Sequence, residues 1–325
     1  MCDKIEKAEI NPLLNEKGGA AFILVIWIVV MLLVIVAEFS NTMRTELKIT
    51  SNFKEEEEAY QLALAGFEQA KVEIMSVPGD AYVYFDGDGV LSFEKQGGDL
   101  NNGADEGFIF KRDVQLGKGS FKYTIIDESG KLNLNTASVT QLRYIIENTG
   151  VETEITDIVV DSIIDWRDPN SLHMINGAEE EYYRSLPLPY SCKDDNFDAV
   201  EELLLVKGVT PEIYYGSGAT GGENEYQGIK DYFTVWGSNE ITLSTSVSGV
   251  LEAVFGFDTA NNIKSQLNAG LIPSAVPGGK VTSNYFTIIS TGFNRDSTIK
   301  RSIKVTAQKT AKGLETLYWN DNYAG

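Results

Sequence analysis

The sequence predicts an α+β fold: a long N-terminal membrane helix, an antiparallel sheet, and a large helical segment that interrupts the sheet before its last strands. Three observations carry this. Gly18 to Ala37 is an uncharged run of twenty residues, followed by a polar stretch without proline. Residues 138 to about 215 have the three-to-four-residue apolar period of short helices. Both sides of that segment return to strand-like runs rich in Val, Ile, Thr, Tyr and Phe.

The uncharged run justifies the first element. Twenty residues at about 1.5 Å each span about 30 Å, the thickness of a hydrocarbon core, whereas secretory signals carry about 7 to 15 apolar residues. "VIVAEFSNTM" offers a poor small-x-small cleavage site, and the small residues sit in front, in "GGAA". Lys4, Lys7 and Lys17 are offset by Asp3, Glu6, Glu9 and Glu16, so flanking charge does not orient the span. From Glu38 to Met75 the only glycine is Gly66, so the helix is expected to continue, roughly 85 Å in all, with Tyr60, Leu64, Phe67 and Val72 as its apolar stripe. A plain bitopic anchor and a pilin-like subunit, whose anchor is also an assembly surface, both fit.

Next, "AYVYFDGDGVLSFEK" reads as a tight hairpin, "GGDLNNGADEG" as a loop and "GSFKYTIIDES" as a strand. "DGDG" is not an EF-hand, because the sixth and twelfth places from Asp86 hold Leu91 and Gly97. Five short amphipathic helices follow, in "SVTQLRYIIENTG", "EITDIVVDSIIDWRD", "GAEEEYYRSL", "NFDAVEELLLVKG" and "TPEIYYG". "DYFTVWGSNEITLSTS" returns to strand, "VSGVLEAVFGFDTANNIKSQLNAG" to helix, and three strands from "SNYFTIISTGF" onward form a meander. "KLNLNTASVTQL" and "EITLSTSVSGVL" echo each other as a strand running into a Ser/Thr-capped helix.

Composition excludes several functions. Of the 325 residues 47 are acidic and 27 basic, a net charge of -20 that opposes phosphate backbones and anionic membranes. Cys2 and Cys192 lie on opposite sides of the span, so no intrachain disulfide is expected. With His173 the lone histidine, a zinc site or a Cys/His nucleophile is not expected.

The densest polar cluster is "DSIIDWRDPNSLHMINGAEEEYY" with "SCKDDNFD". Asp161 and Asp165 stand four apart on one helical face, and Asp168, Asn170, Asn176, Glu179 and Glu180 follow, with Asp194 and Asp195 beyond. Carboxylates and amides at this density suit a hard cation, calcium above all, which takes six to eight oxygens. The same residues also suit a solvated acidic surface. A paired-carboxylate enzyme is a third reading, although no nucleophile elbow, P-loop or glycine-rich nucleotide fingerprint is present. "LLLVKGVTPEIYYG" hints at a membrane-anchored helix-hairpin-helix protein for DNA binding or uptake, yet Lys207 stands alone among Glu201, Glu202 and Glu212.

In order and spacing, "GGAAFILVIW", "AYQLALAGFEQA", "DESGKLNLNTAS", "IIDWRDPN", "NGAEEEYY", "PLPY", "FDAVEELLLVKGVTPEIY", "YFTVWG" and "SNYFTIISTG" resemble the K-type minor pseudopilin of the bacterial type II (general) secretion pathway. The resemblance implies a leader, residues 1–19, removed by a prepilin peptidase between Gly19 and Ala20, with a cut after Gly18 as the alternative. It implies a transmembrane and extended helix over 20–76 and a pilin-like sheet domain over 77–137 and 228–325, interrupted by a helical insert over 138–227. One or two calcium ions in that insert are implied as well, which adds weight to the acidic cluster. Most pilin-like subunits carry glutamate at the fifth mature position, where this chain has Leu24, as K-type subunits do. A carboxylate in lipid costs about 2.5 to 3.5 kcal/mol on insertion scales unless a neighbour satisfies it. A subunit without it cannot offer that contact to one above.

The implied role is therefore non-enzymatic. It is to initiate and cap the tip of a periplasmic pseudopilus that exports folded proteins across the outer membrane. The implied partners are the other minor pseudopilins, the major pseudopilin, the peptidase, and secretin or cargo, with no nucleic acid. The implied location is the bacterial inner membrane, crossed once, with the large C-terminal part in the periplasm.

Overall fold

The structure is a computed structural model that describes residues 16–78, 81–85, 91–94, 113–220 and 226–323. The "DGDG" turn, the "GGDLNNGADEG" loop and most of the expected leader lie outside the described residues. Two units are distinguished, one up to Glu58 and one from Ala59.

Helix α1 (Glu16–Ser76) begins in the first unit. Phe22 to Val36 is apolar throughout and exposed throughout, in a helix long and apolar enough to cross a membrane.

In the second unit the last turns of α1 bury Ala59, Ala63, Phe67, Ala70 and Ile74, one face at three- and four-residue spacing. This corrects the expected stripe: Tyr60 and Leu64 only flank the face, and Val72 is 65% exposed. Small residues line it because the helix lies almost on the backbone of the sheet. A Cβ at Gly292 would stand 2.0 Å from the Ala59 carbonyl oxygen, so only glycine fits there.

The sheet contains β3 (Val114–Leu116), β4 (Gly119–Asp127), β9 (Tyr285–Phe293), β10 (Lys300–Thr310) and β11 (Gly313–Asn320), in the order β11-β10-β9-β4-β3 with every pairing antiparallel. Alternation along β4 turns Phe121, Tyr123 and Ile125 toward α1, where they meet Phe286, Ile288, Ile303 and Val305. β1 (Tyr82–Phe85) and β2 (Leu91–Glu94) pair as the expected hairpin strands.

β4 and β9 are hydrogen-bonded neighbours, yet residues 128–284 lie between them. That excursion holds β5 (Leu132–Asn133), α2 (Val139–Asn148), α3 (Thr153–Arg167), α4 (Glu180–Arg184), α5 (Pro211–Tyr215), α6 (Ser217–Thr220), β6 (Phe233–Thr234), β7 (Ile241–Thr242), α7 (Ser248–Phe255), α8 (Phe257–Asn268) and β8 (Gly279–Lys280). One apolar core runs through it from Leu132 to Val250. β5 and β6 pair in parallel where the chain enters and leaves the helices.

Local chemistry explains the helix starts. Ser138 and Gln141 form a reciprocal capping box on α2, and Thr210 caps α5 with Pro211 in its first turn. Two expectations change. "VEELLL" is a 3-10 helix, its start held where the Ala199 N–H donates to Glu202 (3.1 Å). Before α7 the cap position is Val247, without a side-chain bond, while Ser246 donates back to the Thr242 carbonyl (2.7 Å) and Thr245 to Asp127 (2.6 Å). "DYFTVWGSNEITLSTS" supplies only the dipeptide strands β6 and β7, the latter paired in parallel with β8.

Candidate functional site

Gly19 and Ala20 both lie within α1, as does Leu24, which is exposed with its apolar neighbours.

The acidic cluster is built by the end of α3 and the two loops facing it. Trp166 is buried edge-on against Tyr183 at 5.1 Å, which fixes the last turn of α3. Arg167 points inward to the carbonyls of Leu134 and Ala137 (2.6 Å to the latter). Asp165, fully buried, accepts from the Met174 N–H at 3.0 Å, and Asp161 accepts from the Asn176 N–H and amide, each at 3.0 Å. These two carboxylates fold the 168–178 loop back on the helix. Gly177 is required there, because a Cβ would stand 1.8 Å from Asp165 Oδ2.

That loop delivers Glu179, 7% exposed, into the cluster. Ligand atoms of Glu179, Cys192 and Asp194 lie within 4.8 Å of one another. Glu179 Oε1 is buried without a hydrogen-bond partner. Burial, with the charges of Asp194, Asp165 and Asp168, pushes its carboxyl up to about 7. Among the described residues no Lys or Arg forms an ion pair with these four carboxylates. Asp194 has a φ of 52°, a left-handed conformation that Asp adopts more readily than most residues. Burial, with Asp194 as its hydrogen-bond partner, pushes the Cys192 thiol up to about 12, so it stays protonated and donates. The unpartnered donor is a hard oxygen, that of Glu179. An orphaned buried carboxylate oxygen among acidic neighbours fits a hard cation such as calcium.

Of the eight residues proposed from sequence, the structure brings Asp165, Asp168, Glu179 and Asp194 into one electrostatic cluster. The other four are engaged locally. Asn170 donates to Asp168 and accepts from the Leu172 N–H, and Asn176 serves Asp161. Glu180 holds Arg184 (2.7 Å) and the Cys192 N–H (2.8 Å), and Asp195 accepts from the Asn196 N–H. Cys192 was missed as a member, and its position beside Asp194 was the only sequence signal. His173 is exposed, its ring beside the Met174 carbonyl.

The hairpin that suggested a DNA grip has no free cation. Lys207 donates to the carbonyls of Asn176 (3.0 Å) and Gly177 (2.9 Å) and lies over the Tyr182 ring. Gly208 abuts Ile158 and Val159 of α3.

Comparison with known proteins matches residues 124–216 to the family of type II secretion system (T2SS) protein K. A type II secretion system protein K of Pectobacterium carotovorum subsp. carotovorum is 31% identical over 72 residues, 22% of each chain. One of Aeromonas hydrophila is 23% identical over 222 residues, 62% of each chain. The chain thus matches less than two thirds of either relative's length. Among solved structures, the crystal structure of the GspK-GspI-GspJ complex from the enterotoxigenic Escherichia coli type 2 secretion system is similar, with a TM-score of 0.56 at 14% identity, covering 87% of this chain and 99% of that one. That likeness concerns the fold.

Proposed function

We propose, from a chain whose residues 124–216 match the family of type II secretion system protein K, that it acts as a minor pseudopilin. In this reading it is a membrane-anchored, non-enzymatic subunit that initiates and caps a pseudopilus exporting folded proteins across the outer membrane. One observation carries the reading: an exposed apolar helix continues into the helix that packs on an antiparallel sheet, and the family-matched helices are inserted between two paired strands. The exposed helix fits a single-pass anchor. We place the anchor in the inner membrane and the remainder in the periplasm, with prepilin peptidase acting between Gly19 and Ala20.

Assembly is the mechanism. The apolar stretch packs among the anchors of neighbouring subunits. Leu24 withholds the carboxylate contact that a subunit above would need, so the chain terminates the stack. The partners are two other minor pseudopilins, then the major pseudopilin, with the insert facing secretin or cargo.

Glu179, Asp194, Asp165 and Asp168 would hold calcium, whose charge would neutralise their repulsion and tie the 168–178 loop to the turn at Asp194. Until then, burial of Glu179 and its hydrogen bond from Cys192 hold the site in shape.

Co-expression of the full chain with the other minor pseudopilins of the same bacterium, followed by detergent extraction and size-exclusion chromatography, tests the reading. A stoichiometric complex is expected. A chain that elutes alone under every condition overturns it.

A further inference from the structure

The sheet face turned away from α1 forms, with the helical excursion, a cleft of about 490 Å³, within the usual range for ligand pockets. Aromatic rings stand on its walls, Tyr214, Tyr215, Tyr318, Tyr323 and Trp236, interleaved with charged side chains such as Lys230.

The hydrogen-bonding capacity of this lining is one-sided. The charge of its carboxylates is mostly paired, Glu128 with Lys131 (2.9 Å), Glu201 with Lys304 (3.0 Å) and Asp198 with Lys193 (2.7 Å), which leaves the charge of Asp231. Its donors are not. Tyr214 is 3% exposed, and its hydroxyl has no hydrogen-bond partner among the described residues. The groups it senses electrostatically include Glu201, Tyr215, Asp231 and Tyr323, all lining residues, so the hydroxyl faces into the cleft. Among the described residues the hydroxyls of Tyr215, Tyr318 and Tyr323 and the Trp236 N–H also donate to no protein acceptor, and Lys230 rests over the Tyr215 ring at 5.3 Å.

The floor narrows the ligand further. Over β4, β9 and β10 the backbone groups are used in the sheet ladder, so a peptide lying across them does not add as a strand; the open edge is that of β11, at the side of the cleft. What fits is a ligand rich in acceptors, poor in donors and flat enough to lie on rings.

We propose that this cleft binds a proline-rich segment of a partner protein in the polyproline II conformation. Such a segment has no internal hydrogen bonds, and its prolines lack N–H groups, so its backbone offers carbonyls alone. Tyr214 donates to one of these carbonyls, and the prolyl rings lie on the aromatic walls. The inference does not depend on membership of any secretion assembly.

The test uses the full chain in detergent and a fluorescein-labelled decaproline peptide, followed by anisotropy. Saturable binding is expected, with no detectable binding of a labelled Gly-Ser decapeptide. Tyr214→Phe should weaken binding about three- to tenfold, the effect of one hydrogen bond, without lowering the melting temperature. Trp236→Ala should weaken it too. The proposal is overturned if decaproline fails to bind, if the Gly-Ser peptide binds equally, if both variants bind like the parent, or if chitohexaose binds where decaproline does not.

Discussion

Gly66 of α1 lies against Ser290 of β9 so closely that a methyl group added at Gly66 would stand 2.3 Å from the Ser290 hydroxyl oxygen. The face that joins the helix to the sheet is thus set by what is missing from its side chains. Gly66→Ala is expected to destabilise the second unit by about 1–3 kcal/mol, the usual range for overpacking, read in urea denaturation. Ser290→Ala should cost nothing or stabilise, because that hydroxyl is buried without a partner. Equal destabilisation by both changes would contradict the packing described.

Lys309 holds the end of the same helix, its ammonium donating to the carbonyls of Ile74 (2.8 Å) and Val77. These oxygens lie at the negative end of the helix dipole and lack partners further along it. Lys309→Met should cost about 1–3 kcal/mol and raise hydrogen exchange in the last turn of α1. Unchanged exchange there would show that the contact does not hold the helix end.

Calcium should raise the melting temperature of the wild-type chain, by an amount that grows with the logarithm of its concentration above the dissociation constant. Glu179→Gln and Asp194→Asn should each remove most of the gain. Gly177→Ala, which drives a methyl group into Asp165, should reduce it by displacing that carboxylate while leaving every carboxylate of the site in the sequence. A calcium shift that survives all three would place the ion elsewhere.

In chelator the pH dependence follows from Glu179. Its folded-state value of about 7 lies above its ordinary 4.5, so between those values the folded chain keeps a proton that the unfolded chain has released. This contribution to stability is full below about pH 4.5 and is lost as pH rises through about 7. Asp165 and Asp127, both raised by burial, act with the same sign, so the Glu179→Gln variant isolates the effect. Its stability should match wild type near pH 4.5 and exceed it at pH 8. With calcium the order at pH 8 should reverse. Parallel pH curves for the two proteins would contradict the assignment.

The uncharged run and the lack of proline made the long helix legible in sequence, and periodicity made the helices of the excursion and the closing meander so, because each of these buries apolar residues at its own period. The stripe on α1 was legible only at Phe67. A search for large apolar side chains finds Tyr60, Leu64 and Val72, whereas close approach to a sheet backbone selects Ala59, Ala63, Gly66 and Ala70. At the acidic cluster, composition could nominate oxygens but could not tell a free one from one already bonded. The Asn170 oxygen accepts from the Leu172 N–H, the Asn176 amide is turned to donate to Asp161, which happens only once the 168–178 loop folds onto α3, and Glu180 is taken by Arg184 one turn on in α4. The cleft lay beyond sequence reasoning because its walls come from strands and helices far apart in the chain.

The account as a whole rests on an apolar helix that is processed and retained. The direct measurement is the N-terminal residue of the mature protein isolated from the membrane fraction, by mass spectrometry of its terminal peptide. Ala20 is predicted, or Gly19 if the cut follows Gly18. A chain that still begins at Met1 would contradict it and leave a plain membrane anchor.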